Sequence, residues 1–214
     1  MLIAVLSADC IESTSWSVKE RDLVMETLTR ELKKIPDSKH EFYRGDSFQL
    51  VIKDAAKSLR IAMVLKTAVN KLLFKNENSS GIQTDIRISI GIGEESIQRP
   101  LIAQSDGSAY QFSGRRLDTM KGDQRILCVS SSNEDFNAEF NASLLLFEEI
   151  AKRWSVASAE AIYYSLNGYK ETPLAKLLGI GQSSVNKRKK AAAWNSIEVF
   201  IKRFEQAVSR LPRD

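Results

Sequence analysis

"EFYRGDSFQLVI", residues 41–52, decides how this chain is read. Phe48, Leu50 and Ile52 alternate with the two-residue period of a half-buried strand. Gly45-Asp46 supplies a turn between two such runs, because glycine takes positive φ without a steric cost. The stretch therefore predicts a β-hairpin with an acid, Asp46, at its tip. Upstream, Pro36 closes an amphipathic helix over 18–35, marked by Leu23, Leu28, Leu32 and Ile35. Leu2 to Leu6 then read as a central strand buried on both faces. Downstream, residues 54–75 form a second helix that mixes apolar positions (Leu59, Ala62, Met63, Leu65, Val69) with Lys66, and the polar NENSSG ends it. Ile86, Ile88, Ile90 and Ile92 alternate strictly and give a strand. A short helix near 114–121 and a strand over 126–129 follow. The order β-α-β-β-α-β, then helix and strand, predicts an α+β domain of ferredoxin-like plan, two helices on one face of an antiparallel sheet.

"SSSNEDFN", residues 130–137, reads as a linker between a first domain over 1–132 and a second over 138–214. Everything beyond it has helical character, including a long helix over 143–166 with Leu144, Phe147, Ile150, Ala151 and Trp154 on one stripe. Charge divides the same way. Residues 1–136 balance 19 basic against 19 acidic side chains; residues 137–214 hold 12 against 8 and so carry the whole +4. An excess confined to one region points to an anionic partner there. No apolar run approaches the roughly 18 residues that span a bilayer, which predicts a cytoplasmic protein with no membrane partner. Cys10 and Cys128 sit in apolar, strand-like surroundings and read as buried reduced thiols. With one histidine, His40, a Ser-His-Asp centre is not expected, and no Cys/His metal spacing occurs.

Asp9 lies just past the first strand, in "SADCIEST", residues 7–14. An aspartate there ordinarily caps or turns, as does Gly-Asp in a hairpin. In this topology, however, the hairpin tip lies beside the end of the first strand. Two such carboxylates repel unless a cation sits between them, and Mg²⁺ takes one or two carboxylates together with phosphate oxygens. Asp9 and Asp46 are therefore candidate ligands of Mg²⁺ or Mn²⁺. Arg44 either holds phosphate or pairs with Asp46. Arg87, on the alternate face of its strand, reads as an exposed side chain.

The chain's N-terminal part resembles the class III nucleotide cyclase catalytic domain and, more distantly, the diguanylate cyclases. "LSADCIEST" resembles the cyclase opening, "FYRGDSFQLVI" its hairpin, "IRISIGIG" the strand after the second helix, and "SGRRLDTM" the helix facing the substrate. The resemblance implies Asp9 and Asp46 as metal ligands with the Ile11 carbonyl beside them, and Arg115, Arg116 and Asp118 near a nucleotide or its phosphates. Phe42 and Tyr43 stand where cyclases carry a base-selecting lysine. Asp118 replaces an asparagine and Gly122 a transition-state arginine, so the metal half of the pattern is kept and the other half is not.

"ETPLAKLLGIGQSSVNKRKKAAAW", residues 171–194, is a helix-turn-helix pattern. Thr172-Pro173 reads as an N-cap and first helical residue. Leu174, Leu177 and Leu178 form an apolar face, Ala175 allows a close crossing, Gly179 the turn, and Ile180 and Val185 pack inward. It resembles the motif of bacterial DNA-binding regulators, which implies that Gln182, Ser183, Ser184, Asn186, Lys187, Arg188 and Lys190 meet DNA. A final stripe, Ile197, Phe200, Ile201, Phe204 and Val208, is either core or a homodimer face. As a whole, the chain resembles the SatD family through "ADCIEST", "FYRGDSFQL", "IRISIGIG", "SDGSAYQFSGRRLD" and "LAKLLGIGQSSVNKR". Three functional readings follow: a DNA-binding transcriptional regulator whose cyclase-like domain binds a nucleotide or metal, a metal-dependent nucleotidyl transferase or cyclase with a helical interaction domain, and a dimeric scaffold in which both aspartates are relics.

Overall fold

The computed structural model describes residues 2–43, 45–74 and 84–212. Arg44 lies outside the described residues, and with it the phosphate role expected of it. The chain runs β1 (Ile3–Cys10), α1 (Val18–Leu32), β2 (Ser38–Tyr43), β3 (Ser47–Ile52), α2 (Ser58–Asn70), β4 (Ile86–Gly93), α3 (Ser108–Met120), β5 (Leu127–Ser130), α4 (Glu134–Ala151), α5 (Val156–Leu166), α6 (Glu171–Leu178), α7 (Gln182–Ala191) and α8 (Trp194–Val208). The sheet order is β2-β3-β1-β4-β5. The first four strands pair antiparallel in the expected split βαβ arrangement, and β5 adds itself parallel to β4.

Alternation in β1 sets the two faces of the sheet. Ala4, Leu6, Ala8 and Cys10 point into the main core with residues of α1 and α2. Ile3 and Val5 point the other way, into a smaller cluster with Val51, Ile102, Ala109 and Tyr110. Ser7 and Asp9 continue that second face toward the strand's end. The helix on this face, α3, is longer than the sequence suggests and starts six residues earlier. It docks against β4 because that strand offers glycines. A Cβ on Gly91 would lie 2.2 Å from the Ala109 carbonyl oxygen, and one on Gly93 would lie 2.3 Å from Ser108 Oγ. The "IGIG" of β4 is thus the seat of α3 rather than a flexible stretch.

The expected helix over 143–166 is two helices. α4 ends at Ala151, and Ser155 starts α5 by accepting the Ser158 N–H at 3.2 Å. Trp154, between them, is buried against Phe147 and donates Nε1–H to the Ala192 carbonyl. The linker reading of 130–137 also gives way, since α4 begins at Glu134, capped by Asn133. From there α4 closes the outer edge of β5. Asn141 bonds both the N–H and the C=O of Val129, Asn137 does the same for Ser131, and Glu148 accepts the Leu127 N–H at 2.8 Å. Side chains spaced four and seven apart on one helix face stand in for a missing neighbour strand. The main core runs on into this part: Phe140, Leu144, Ile162, Ile201 and Phe204 belong to the same cluster as Leu6 and Ile90. Ile197, Ile201, Phe204 and Val208 are buried within the chain, so the apolar stripe of α8 is core.

In α6 the first residue is Glu171, and Lys170 rather than Thr172 occupies the cap position. Pro173 costs nothing there, because the first helical N–H groups have no intrahelical partner. Gly179 takes φ 64° and turns the chain into α7. Leu174, Ala175 and Val185 close a small core of their own with Tyr164, Leu178 and Ile180, while Leu177 faces solvent. Among the described residues, no helix is long and apolar enough to cross a membrane.

Candidate functional site

A cleft of about 660 Å³ lies between the Ser7/Asp9 face of the sheet and α3. The 3-10 turn Ile102–Gln104 walls one side. Glu41 on β2 holds that turn by accepting the N–H groups of Ile102 and Ala103, and it also accepts the Tyr43 hydroxyl at 2.8 Å. Burial and this neighbouring carboxylate push the Tyr43 hydroxyl well above the ordinary phenol range. The cleft floor is a one-way hydrogen-bond chain. Ser113 Oγ donates its single proton to the Tyr110 carbonyl, so Ser7 Oγ donates to Ser113 at 3.0 Å, and Gln49 Nε2 donates to Ser7 at 3.1 Å. The Gln49 carboxamide, Tyr43 and Tyr110 thus present polar and aromatic groups in fixed orientations.

Asp9 and Asp46 meet at one end of this region, as the topology suggests. Asp9 pairs across the strands with Ser47, and the Cys10 N–H donates to the Asp46 carbonyl at 3.1 Å. The carboxylates are already engaged, however. Asp9 is directly opposite Arg87 in the β1–β4 register, and Arg87 Nη1 donates to both its oxygens, at 2.9 and 2.8 Å. Arg87 also donates Nε–H to the Arg125 carbonyl, and its side chain is only 12% exposed. The sequence reading of Arg87 as exposed is therefore wrong: the register places it against Asp9 rather than in solvent. Asp46 accepts Ser13 Oγ–H at 2.5 Å and Ser47 Oγ–H at 3.3 Å. Burial raises the Asp9 carboxyl above its usual range; Arg87 opposes that shift and the Asp46 charge adds to it. The two aspartates do not fit a divalent metal as they stand, because a guanidinium and a hydroxyl occupy the oxygens it would need. Among the described residues, no group of three or more His, Cys, Asp or Glu side chains could hold one. Ile11 donates its N–H to the Asp85 carbonyl, an ordinary turn contact.

The other expected cleft residues divide. Asp118 lines the cleft beside Lys121. Arg115 is exposed on α3. Arg116 is turned to β5, donating to Asp123 at 2.6 Å and to Cys128 Sγ at 3.4 Å. Ser7, Gln49, Tyr110 and Lys121 were not singled out from the sequence. The alternation Ile3-Val5-Ser7-Asp9 was the available signal for Ser7, since it marks where one face of β1 turns polar. Cys10 and Cys128 are free and buried. Burial, with the Asp46 and Asp9 charges behind it, pushes the Cys10 thiol up to about 12. A thiol reagent at about pH 8 is expected to leave Cys10 untouched in the native protein and to label it on unfolding. Rapid native labelling would contradict this environment.

At the other end of the molecule, Val185 fixes the rotation of α7. Its flanks are tied down: Arg188 donates to Glu160 of α5 at 3.0 Å, Asn186 to Glu171 at 3.2 Å, and Lys189 to the same Glu171 at 3.4 Å. Opposite Val185, Ser183, Lys187 and Lys190 follow at spacings of four and three and form one outward ridge, with Gln182 and Ser184 exposed beside it. Of the seven residues expected at a nucleic-acid surface, Asn186 and Arg188 are thus engaged within the chain, Gln182 is exposed but also bonds Glu171, and the other four face solvent.

No family model and no curated protein matches the chain. Solved structures do resemble it. The active GGEEF domain of a diguanylate cyclase from Vibrio cholerae is 14% identical, with a TM-score of 0.44, over 63% of this chain and 85% of that one. A bacterial light-regulated adenylyl cyclase is 12% identical, with a TM-score of 0.41, over 60% and 75%. The coiled coil and GGDEF domain of DgcB from Caulobacter crescentus, in complex with c-di-GMP, is 16% identical, with a TM-score of 0.41, over 61% and 70%. Each is a likeness of fold.

Proposed function

We propose that this chain is a DNA-binding regulator that contacts the duplex through α7 and responds to a small ligand, a nucleotide or part of one, held in the cleft between the sheet and α3. The observation that carries the reading is the outward ridge of α7: two lysines, Lys187 and Lys190, with no ion-pair partner among the described residues, on a helix whose rotation is fixed by Val185 and by the Arg188–Glu160 pair. Free ammonium groups on a held helix gather phosphates, and Gln182, Ser183 and Ser184 at its start are the side chains placed to reach base edges. Assembly as a homodimer, which would let two copies of α7 read two half-sites, belongs to the same proposal, as does membership of the SatD family. Metal-dependent nucleotidyl transfer is the weaker reading, because it requires free carboxylates at Asp9 and Asp46.

Fluorescence anisotropy with a labelled duplex tests the DNA-binding half. Binding is expected to weaken linearly in log Kd against log salt. Lys187→Ala with Lys190→Ala is expected to lower the magnitude of that slope by about 2, close to one unit per lost phosphate contact. Absence of binding at low salt, or an unchanged slope in the double variant, would sink the reading.

A further inference from the structure

We propose that Arg87 takes the place of a divalent cation at the Asp9–Asp46 end of the cleft, so that this site excludes Mg²⁺ and Mn²⁺ and a ligand in the cleft binds without metal. The inference deepens the ligand half of the reading above and is independent of α7. Its basis is geometric. Two acids brought together at the end of β1 need a positive charge between or beside them. The β1–β4 register provides one by setting Arg87 directly opposite Asp9. One nitrogen of the guanidinium reaches both carboxylate oxygens, at 2.9 and 2.8 Å. Its Nε–H is anchored on the Arg125 carbonyl at 3.2 Å, so the group is held from two directions. Ser13 and Ser47 hydroxyls satisfy Asp46 from the other side. A metal ion entering here must displace a buried guanidinium from its carboxylate and leave it unpaired, a penalty that a weakly held hard cation with two ligands does not offset.

The charge logic also says what removing the arginine does. Arg87→Gln keeps a polar side chain, though a shorter one, and takes away the guanidinium charge, leaving Asp9 and Asp46 without their bonded countercharge and with only the Lys121 positive charge still acting on Asp9. That pair is what a divalent ion seeks, so the variant should gain the metal site that the natural chain lacks.

The experiment titrates the full-length protein with Mn²⁺ alone and follows the free-ion signal by electron paramagnetic resonance. The natural protein is expected to leave that signal unchanged beyond the background of an Asp9→Asn/Asp46→Asn variant. Arg87→Gln is expected to bind one Mn²⁺, and Arg87→Gln/Asp46→Asn to lose it again. Arg87→Met, which keeps the packed stem, repeats the test should the glutamine variant fold poorly. Specific Mn²⁺ binding by the natural protein that Asp46→Asn abolishes overturns the proposal. So does a folded Arg87 variant that still ignores Mn²⁺, since Arg87 is then not the excluding group. Neither result touches the salt dependence of DNA binding, so failure here and failure of the α7 reading stay distinguishable.

Discussion

Gly91→Ala is expected to destabilise the protein by about 3 kcal/mol, the upper range for forcing one extra carbon into a packed contact. The added Cβ would stand 2.2 Å from the Ala109 carbonyl oxygen and 2.5 Å from the Ser113 nitrogen, and both are backbone atoms of α3. No side-chain rotation relieves such a clash; α3 has to lift from the sheet. Lifting it opens the small apolar cluster of Ile3, Val5, Val51, Ile102, Ala109 and Tyr110, and breaks the Ser7–Ser113 hydrogen bond that floors the cleft. At the scaling usual for a chain of this size, the melting temperature should fall by about 6–12 °C. Gly114→Ala is the matched control on the same helix. Nothing lies within 4 Å of its added Cβ. That substitution is expected to raise stability by about 0.5–1 kcal/mol through helix propensity and unfolded-state entropy. Urea unfolding of both variants settles the matter. Equal small effects at the two positions would mean that α3 is not seated on the glycines of β4.

Glu148→Ala is expected to cost about 3–5 kcal/mol, the range for removing one partner of a buried ion pair. Glu148 is 1% exposed and collects four donated hydrogen bonds: two from Arg125 Nε–H, shared between its oxygens, and one each from the Ile126 and Leu127 N–H groups. Truncation takes the carboxylate from a nearly buried guanidinium, whose Nη2 keeps only the Leu127 and Asn141 carbonyls, and leaves two backbone donors without an acceptor. It also removes one of the three side chains by which α4 closes the edge of β5. Glu148→Gln retains an acceptor oxygen and should lose roughly half as much. Calorimetry on the three proteins gives the order natural, glutamine, alanine. Alanine as stable as glutamine would show that the carboxylate contributes only bulk.

The hairpin over 41–52, the isoleucine strand and the order of elements were legible because each rests on a local period or a turn dipeptide. What was not legible depends on partners distant in sequence. β2 extends back to Ser38, but Ser38, Lys39 and His40 are all half-exposed on an edge strand and carry no alternation. The start of α3 hides behind Gly107 and the serines around it, residues that locally favour turns. The break between α4 and α5 falls at Trp154-Ser155, inside an apolar stripe that continues across it, so periodicity alone runs through the interruption. At the site, topology placed Asp46 beside Asp9, and that part was readable. The role of Arg87 was not. Alternation gives its face, but only the strand register gives its partner, and register is a property of the assembled sheet. The same limit applies at α7: its basic residues were visible, but which of them α5 and α6 tie down was not.

The slight core beneath α6 and α7 has a consequence for energetics. Three buried side chains, Leu174, Ala175 and Val185, with the partly buried Tyr164, Leu178 and Ile180 packed on them, form the apolar core of this pair, in a cluster separate from the one that runs from the sheet through α8. Such a unit opens at lower free energy than the body that carries it. Whatever seats itself on α7 must therefore supply part of the order it reads. Affinity at this end of the molecule is set as much by how firmly the two helices are fastened as by the charges they display.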